Sequence, residues 1–279
     1  MIIGQHEYKL LLLDTNIIRE IILNKYQSGE GFIGKFINGS LTYAPCFSIY
    51  NVVEIMPYDD IFQNFLDYFS ILPCLMFFPT KIIVTEEFSA FIQNRNFIIS
   101  GQVANAYTPI IKNSSYHFRS FIESMLDHDD MDQVITDYIH NLPIIASSWE
   151  NQRNEMKRLI EHLGLPKIMI NEEFYKSIES ESIEKDLSNY GFSTNSPIEL
   201  KYFPSLRIIE YSHYNRVHLT RKTISPNDVM DIQICSISPY INAVITEAFQ
   251  ANVYHKARRI IPQLKELEIF TVRDIRVTI

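Results

Sequence analysis

The chain is short of cysteine. Cys46, Cys74 and Cys235 are the three it has in 279 residues, far apart and in no CxxC pair, which excludes a disulfide framework or a cysteine-based zinc site and fits a reduced intracellular, cytoplasmic protein. Glycine and proline are also sparse, at eight and twelve, so neither a fibrous nor a low-complexity chain fits. Positive charge falls behind negative, with 25 Lys and Arg against 33 Asp and Glu and a formal net charge of −8. That argues against a protein holding nucleic acid through an overall positive field. Long apolar runs are missing too. The most apolar stretch, Phe62 to Val84, is broken by Asp67, Pro73, Pro79 and Lys81, so no membrane span is expected. The opening residues lack the basic, then apolar, then small-residue order of a secretory signal, so no export is expected. What is present is ordinary globular composition, 46% hydrophobic and 21% charged, in a chain long enough for one large domain or two small ones.

The organising stretch is Leu10-Leu11-Leu12-Leu13-Asp14-Thr15-Asn16. Four leucines bounded by charge predict a strand buried on both faces, as inside a parallel sheet. Ile17, Ile18, Ile21 and Ile22 follow at helical spacing, with Thr15 or Asn16 as the cap. Asp14 therefore stands where a strand hands over to a helix, the edge at which open α/β sheets place their ligands.

Further along, Leu41 to Pro45 predicts a short extended piece, and Ser48 caps a helix that carries Glu54 among apolar neighbours and ends at Pro57. A helix over Ile61 to Phe69 and a second strand at Lys81-Ile82-Ile83-Val84-Thr85 are expected next. Residues 86–204 read as a helical insertion or lid, with polar breaks at Asn94-Arg95-Asn96, Asn113-Ser114-Ser115 and Ser193 to Pro197. Its clearest helix runs from Glu150 to Leu163 and is closed by Gly164 and Pro166. The acidic run Asp127 to Asp132 lacks the glycine and closing glutamate of a calcium loop and reads as a solvated helix start. His213 and His218, outside any HExxH pattern, read as surface or packing residues.

The carboxyl-terminal part, 205–279, repeats the opening logic. Ser225-Pro226-Asn227-Asp228 has the form of a helix start, and Ala243 to Thr246 that of a buried strand with Glu247 at its end. A helix over Ala248 to Arg259 and a last strand over Leu267 to Val272 complete the pattern.

Phosphodiester cleavage assisted by Mg²⁺ or Mn²⁺ needs several carboxylates in one place. Asp14, Glu54, Asp231 and Glu247 are candidates, two at strand ends and two on helices. Asp228 is a further candidate ligand, although its place in the first helical turn gives it a capping role, so Asp231 is preferred. Leu-Leu-Leu-Asp14-Thr15-Asn16, the helical Glu54, Asn227-Asp228-Val-Met-Asp231 and Val-Ile-Thr246-Glu247 together resemble the ordered acidic motifs of PIN-domain nucleases, including toxin-like ribonucleases. The resemblance covers roughly 8–85 and 205–279. It implies a three-layer α/β/α core with a mainly parallel sheet, interrupted by the helical insertion. It also implies a Mg²⁺ or Mn²⁺ site formed by Asp14, Glu54, Asp231 and Glu247 and shaped by Thr15, Asn16 and Thr246, with single-stranded RNA as substrate. An antitoxin-like protein partner or a homo-oligomer would be compatible with it. Arg216, Arg221 and Lys222 before the acidic helix, and His255, Lys256, Arg258 and Arg259 after Glu247, are candidates for RNA phosphate contacts, with solvated helix faces as the plainer account. The expected activity is endoribonuclease hydrolysis without a protein nucleophile. The rival is a non-catalytic RNA- or protein-binding module of the same fold, favoured by glutamate at 247, where the family usually has aspartate. A phosphatase would want an acid at position 16, which is asparagine.

Overall fold

The computed structural model describes residues 1–38, 42–108, 117–164, 171–193 and 196–276, leaving aside the side chains of 129–134 and 137. Leu41, Asn113 to Ser115, Pro166, Thr194, Asn195 and the side chains of Asp129, Asp130 and Asp132 lie outside this description. The chain divides into two compact units, one built from 1–79, 99–136 and 237–279 and the other from 80–98 and 137–236.

The first unit is α/β. Its strands are β1 (Ile2–Ile3), β2 (His6–Glu7), β3 (Lys9–Leu13), β4 (Tyr43–Ser48), β5 (Cys74–Phe77), β6 (Ala104–Tyr107), β7 (Ala243–Thr246) and β8 (Glu268–Thr271). The last six form one sheet in the order β6-β5-β4-β3-β7-β8, parallel throughout except for β6 on its edge, while β1 and β2 make a separate antiparallel ribbon. The leucine run behaves as its composition demands: Leu10 to Leu13 are buried at the centre, with Leu12 paired to Cys46 on one side and Val244 on the other. From β3 the chain passes through α1 (Thr15–Leu23) towards β4, whereas β7 passes through α11 (Ala248–Ala257) towards β8 in the opposite direction. Right-handed crossovers leaving a centre in opposite directions put their helices on opposite faces, consistent with a three-layer arrangement. The boundary between β3 and β7 is therefore the sheet's topological switch point.

Helices α2 (Glu30–Phe32), α3 (Ile49–Ile55), α4 (Asp59–Ser70) and α6 (Phe118–Leu126) also belong to this unit. Phe47, Phe65, Phe69 and Phe118 pack ring against ring at centroid distances of 4.8 to 5.5 Å. All four are fully buried, so this aromatic layer, not one helix alone, anchors α4 and α6.

The second unit is helical, with α5 (Thr80–Ile92), most of α7 (Asp129–His162), α8 (Glu172–Asn189), α9 (Pro204–Tyr214) and α10 (Pro226–Ile234). Val84, Ile183, Leu187, Phe203 and Leu206 form its core. Two buried arginines tie its pieces together. Arg207 pairs with Glu179 at 2.7 Å, and Arg153 donates to the carbonyls of Arg216, Val217 and Lys222 at 2.8 Å each. No helix among the described residues is long and apolar enough to cross a membrane.

Three expectations are corrected. Lys81 to Thr85 is not a strand but the first turns of α5, because Thr80, Ile83, Val84, Glu87 and Ala90 are buried at helical spacing and that packing overrides the β propensity of the Ile-Ile-Val run. Residues 86–204 are not a purely helical block, since Ala104–Tyr107 supplies edge strand β6 and 99–136 cluster with the α/β unit. Residues 205–236 cluster with the helical unit instead of the α/β core. A buried ion pair between Arg216 and Asp228 at 2.8 Å holds α10 to the segment after α9, a tie that proximity in sequence to β7 does not reveal.

Candidate active site

Asp14 follows β3 directly, with its amide donating to the carbonyl of Ile245 at 3.1 Å as though the parallel ladder continued one residue further. Its own carbonyl then accepts from Ile17 and Ile18, which starts α1. Glu247 occupies the matching place after β7, at the N-cap of α11. Both positions are extended, and neither side chain caps its helix. Asp14 turns sideways instead: Thr246 Oγ1 donates to its Oδ2 at 2.6 Å, while Oδ1 is buried without a hydrogen-bond partner. Exposed Glu247 accepts from Asn16 Nδ2 at 2.8 Å.

Glu54 arrives through a different device. Ser48, at the end of β4, forms a capping box with Asn51 that starts α3. Asn51 is fully buried and spends its amide in both directions, accepting from Ser48 N at 2.8 Å and donating to Thr15 Oγ1 at 2.9 Å and Leu13 O at 3.3 Å. One side chain thus locks the ends of β3 and β4 to the start of α1. The Thr15 hydroxyl in turn donates to the Glu54 carboxylate, whose Oε2 is buried with no hydrogen-bond partner. Arg19 lies across Tyr58, 4.8 Å from its ring centroid, and donates to the Glu54 carbonyl at 3.1 Å.

Burial raises the pKa of Asp14 above the usual aspartate range; the Thr246 hydrogen bond opposes this, the charge of Glu247 adds to it, and the backbone amides of Glu247 and Asn16 pull it back down. Burial likewise raises Glu54. Thr15 and Arg19 pull it down, and the charges of Asp14 and Glu247 push it up. The charge of Glu247 therefore disfavours ionisation of both Asp14 and Glu54, and each of these two has a buried oxygen without a hydrogen-bond partner. A hard divalent cation takes such oxygen ligands. The donor set fits one, although among the described residues no three His, Cys, Asp or Glu side chains are already drawn into a ligand cage.

A cleft of about 620 Å³ lies at Glu247, bordered by Asn16, Glu20, Phe249, Arg273 and Arg276; Thr246, the partner of Asp14, also lines it, while buried Asp14 and Glu54 do not. Arg276 is held by Glu20 at 3.0 Å, and Arg273 is exposed. These arginines and Asn51 escape a reading of the sequence. Asn51 leaves a trace in the Ser48-x-x-Asn51 spacing, whereas nothing local marks Arg273.

The other expected residues fall differently. Asp228 and Asp231 belong to α10 in the helical unit, and Asp14, Glu54 and Glu247 to the α/β unit. Asp228 is committed to structure, accepting from Ser225 N at 2.7 Å and pairing with Arg216. Asp231 is half-buried one turn later, with its carbonyl 3.1 Å from Cys235 Sγ. Arg216 is buried in the Asp228 pair and does not present its charge to RNA phosphates. Arg258 donates to the carbonyl of Leu267 and is half-buried, so its guanidinium is largely occupied. Lys256 is half-buried, and Arg221 and Lys222 are exposed in the helical unit. No family model, curated protein or solved structure matches the chain.

Proposed function

We propose that the α/β unit is a Mg²⁺- or Mn²⁺-dependent endoribonuclease of PIN-like type, acting on single-stranded RNA. The observation that carries the reading is the pair of buried carboxyls, Asp14 and Glu54. Each has one oxygen without a hydrogen-bond partner, and both have pKa values raised by burial and by Glu247 beside them. Such groups are destabilising where they stand unless the site serves something positively charged. A divalent cation supplies the positive charge that phosphodiester hydrolysis needs in its transition state. Asp14 and Glu54 hold it, Thr246 and Thr15 fix the rotamers of those two acids, and Asn16 aims Glu247. Arg273 provides local positive charge for a phosphate in a chain whose net charge is negative. The cleft volume lies within the ~300–1,000 Å³ of small-ligand pockets, which suits a nucleotide of a single strand better than a duplex.

The second reading, a non-catalytic binding module, draws on the hydrogen bond that ties Glu247 to Asn16 and on the lack of a ready-made three-acid cage among the described residues. Incubation with a fluorescently end-labelled single-stranded RNA and Mn²⁺ separates them. The nuclease reading expects internal cleavage that stops with EDTA and is lost in Asp14→Asn and Glu54→Gln. Intact RNA over the full Mn²⁺ range, or cleavage surviving in both variants, removes it.

A further inference from the structure

The helical unit contains a pocket that the nuclease reading leaves unused. Its volume is about 920 Å³, and it is lined by Trp149 of α7, Lys185 and Asp186 of α8, Glu210 and His213 of α9, and His218 beyond. Met156, Leu159, Leu206 and Ile209 add apolar wall.

Asp186 and Glu210 hydrogen-bond each other. A bond between two carboxyls requires a proton on one of them. Burial and then the charge of Asp186 hold Glu210 well above the ordinary glutamate range, and burial also raises Asp186. The pair therefore holds a proton more tightly than free carboxyls do, while Lys185 is close enough to favour ionisation of both. His213 packs against Trp149 at a centroid distance of 4.5 Å, and its Nε2 is shut off from solvent without a hydrogen-bond partner. Burial, helped by His218 and Lys185, lowers the pKa of His213 to about 4; burial and Arg153 lower that of His218 to about 4. Both rings are neutral at physiological pH. Glu155 also borders the pocket, and the nearby Arg207 and Glu179 neutralise each other.

We propose that this pocket binds an organic cation, an amine or amidinium on an aromatic or apolar body, in exchange for the proton shared by Asp186 and Glu210. The exchange leaves the local charge unchanged, because one positive charge replaces another, so burying the ligand's head adds no uncompensated charge. The body lies against Trp149 and the apolar wall, where cation and ring face also attract. An anion would meet the remaining carboxylate. A neutral isostere would leave the proton in place and gain only the apolar contact. The inference is independent of the nuclease reading, since its readout is binding and not cleavage.

The test is calorimetric titration of the full chain with phenethylamine and benzamidine, beside their neutral counterparts 2-phenylethanol and benzamide, at pH 6 and pH 8 in buffers of different ionisation enthalpy. The expected result is binding of at least one cation, roughly ten-fold or more tighter than its neutral counterpart, with release of about one proton at pH 6 and stronger binding at pH 8. Glu210→Gln keeps a hydrogen-bond donor to Asp186 but removes the exchangeable proton; it weakens the cation about ten-fold or more and abolishes proton release. Asp186→Asn does the same if Glu210→Gln fails to fold. Equal binding of the neutral counterparts, undiminished binding to the folded variants, or no cation binding at millimolar concentration overturns the proposal.

Discussion

Asp14→Asn should stabilise the metal-free protein while destroying its proposed activity. Asp14 is 8% exposed and Glu54 5%, and Glu247 acts on both through its charge. Asparagine keeps an acceptor for the Thr246 hydroxyl and nearly the same volume, but removes one of three like charges. At an effective dielectric near 20, neighbouring like charges near a protein surface repel by on the order of 1–4 kcal/mol. Removing one should therefore raise stability by about 1–2 kcal/mol, and each kcal/mol moves a melting midpoint by about 2–4 °C in a domain of this size. Mn²⁺ should reverse the ranking. A cation at a hundred times its Kd adds about 2.7 kcal/mol to the form that binds it, so the native chain should gain several degrees and the variant little. Differential scanning fluorimetry with EDTA and then with a Mn²⁺ series reads both effects. A variant that melts lower than the native chain in EDTA, or equal Mn²⁺ shifts in both, refutes the argument that these carboxyls are held together against their own repulsion for a cation.

Three other perturbations follow from the same contacts. Asn51→Ala removes a buried amide that bonds Ser48, Thr15 and Leu13; it should cost about 3 kcal/mol in urea unfolding and lower the cleavage rate well below the melting temperature, because Thr15 no longer orients Glu54. Arg273→Glu should raise KM about ten-fold with kcat nearly unchanged and flatten the salt dependence by about one phosphate contact; a kcat loss with constant KM would contradict it. His213 should make acid destabilising. Its pKa of about 4 in the folded chain lies below the usual 6.5, so the unfolded chain takes up the proton first as pH falls below 6.5, and stability drops by up to about 3 kcal/mol by pH 4. Raised carboxyls such as Glu210 act in the opposite sense, losing stability as pH rises, so the His213 share is read as a difference: the stability gap between the native chain and His213→Gln should narrow by about 2–3 kcal/mol from pH 7 to pH 4.5. A constant gap rejects a buried neutral imidazole.

Much of the α/β unit is legible in the chain because its signals are local. A doubly buried strand must be almost continuously apolar, and Leu10 to Leu13 and Ala243 to Ile245 are. Ser48 and Ser225 announce helices because a hydroxyl three residues before a polar partner satisfies orphan amides whatever lies around it. The failures share the opposite property. Ile82-Ile83-Val84 has the residues of a strand and folds as a helix because its neighbours in space, unseen in the sequence, bury that helical face. Strand β6 is four residues, Ala-Asn-Ala-Tyr, with no alternation to announce it, and it exists because β5 offers an unpaired edge. The segment 205–236 is tied to the rest of the helical unit by the pair of Arg207 with Glu179 and by Arg153 donating to the carbonyls of Arg216, Val217 and Lys222, and contacts between positions far apart in the chain leave no periodic trace.

The distinction between a site and a cap also emerges only in three dimensions, and Asp14 and Asp228 show how. Both are aspartates at helix starts, Asp14 at the N-cap itself and Asp228 three residues after the cap Ser225. Asp228 is fully employed: Oδ2 takes the amide and hydroxyl of Ser225 at 2.7 and 2.8 Å, and Oδ1 takes Arg216 at 2.8 Å. A carboxylate so satisfied stabilises the fold and has nothing left to offer a ligand without breaking bonds worth about 1.5–3 kcal/mol each. Asp14 stands at an N-cap but forgoes the capping bond, worth about 1 kcal/mol, gives one oxygen to Thr246 on the neighbouring strand and leaves the other unsatisfied. Local energetics alone would favour the first arrangement at both places. The chain keeps the second at the one place where the sheet's crossovers diverge and where Glu54 and Glu247 add charge of the same sign, leaving Asp14 a requirement that the proposed cation would meet.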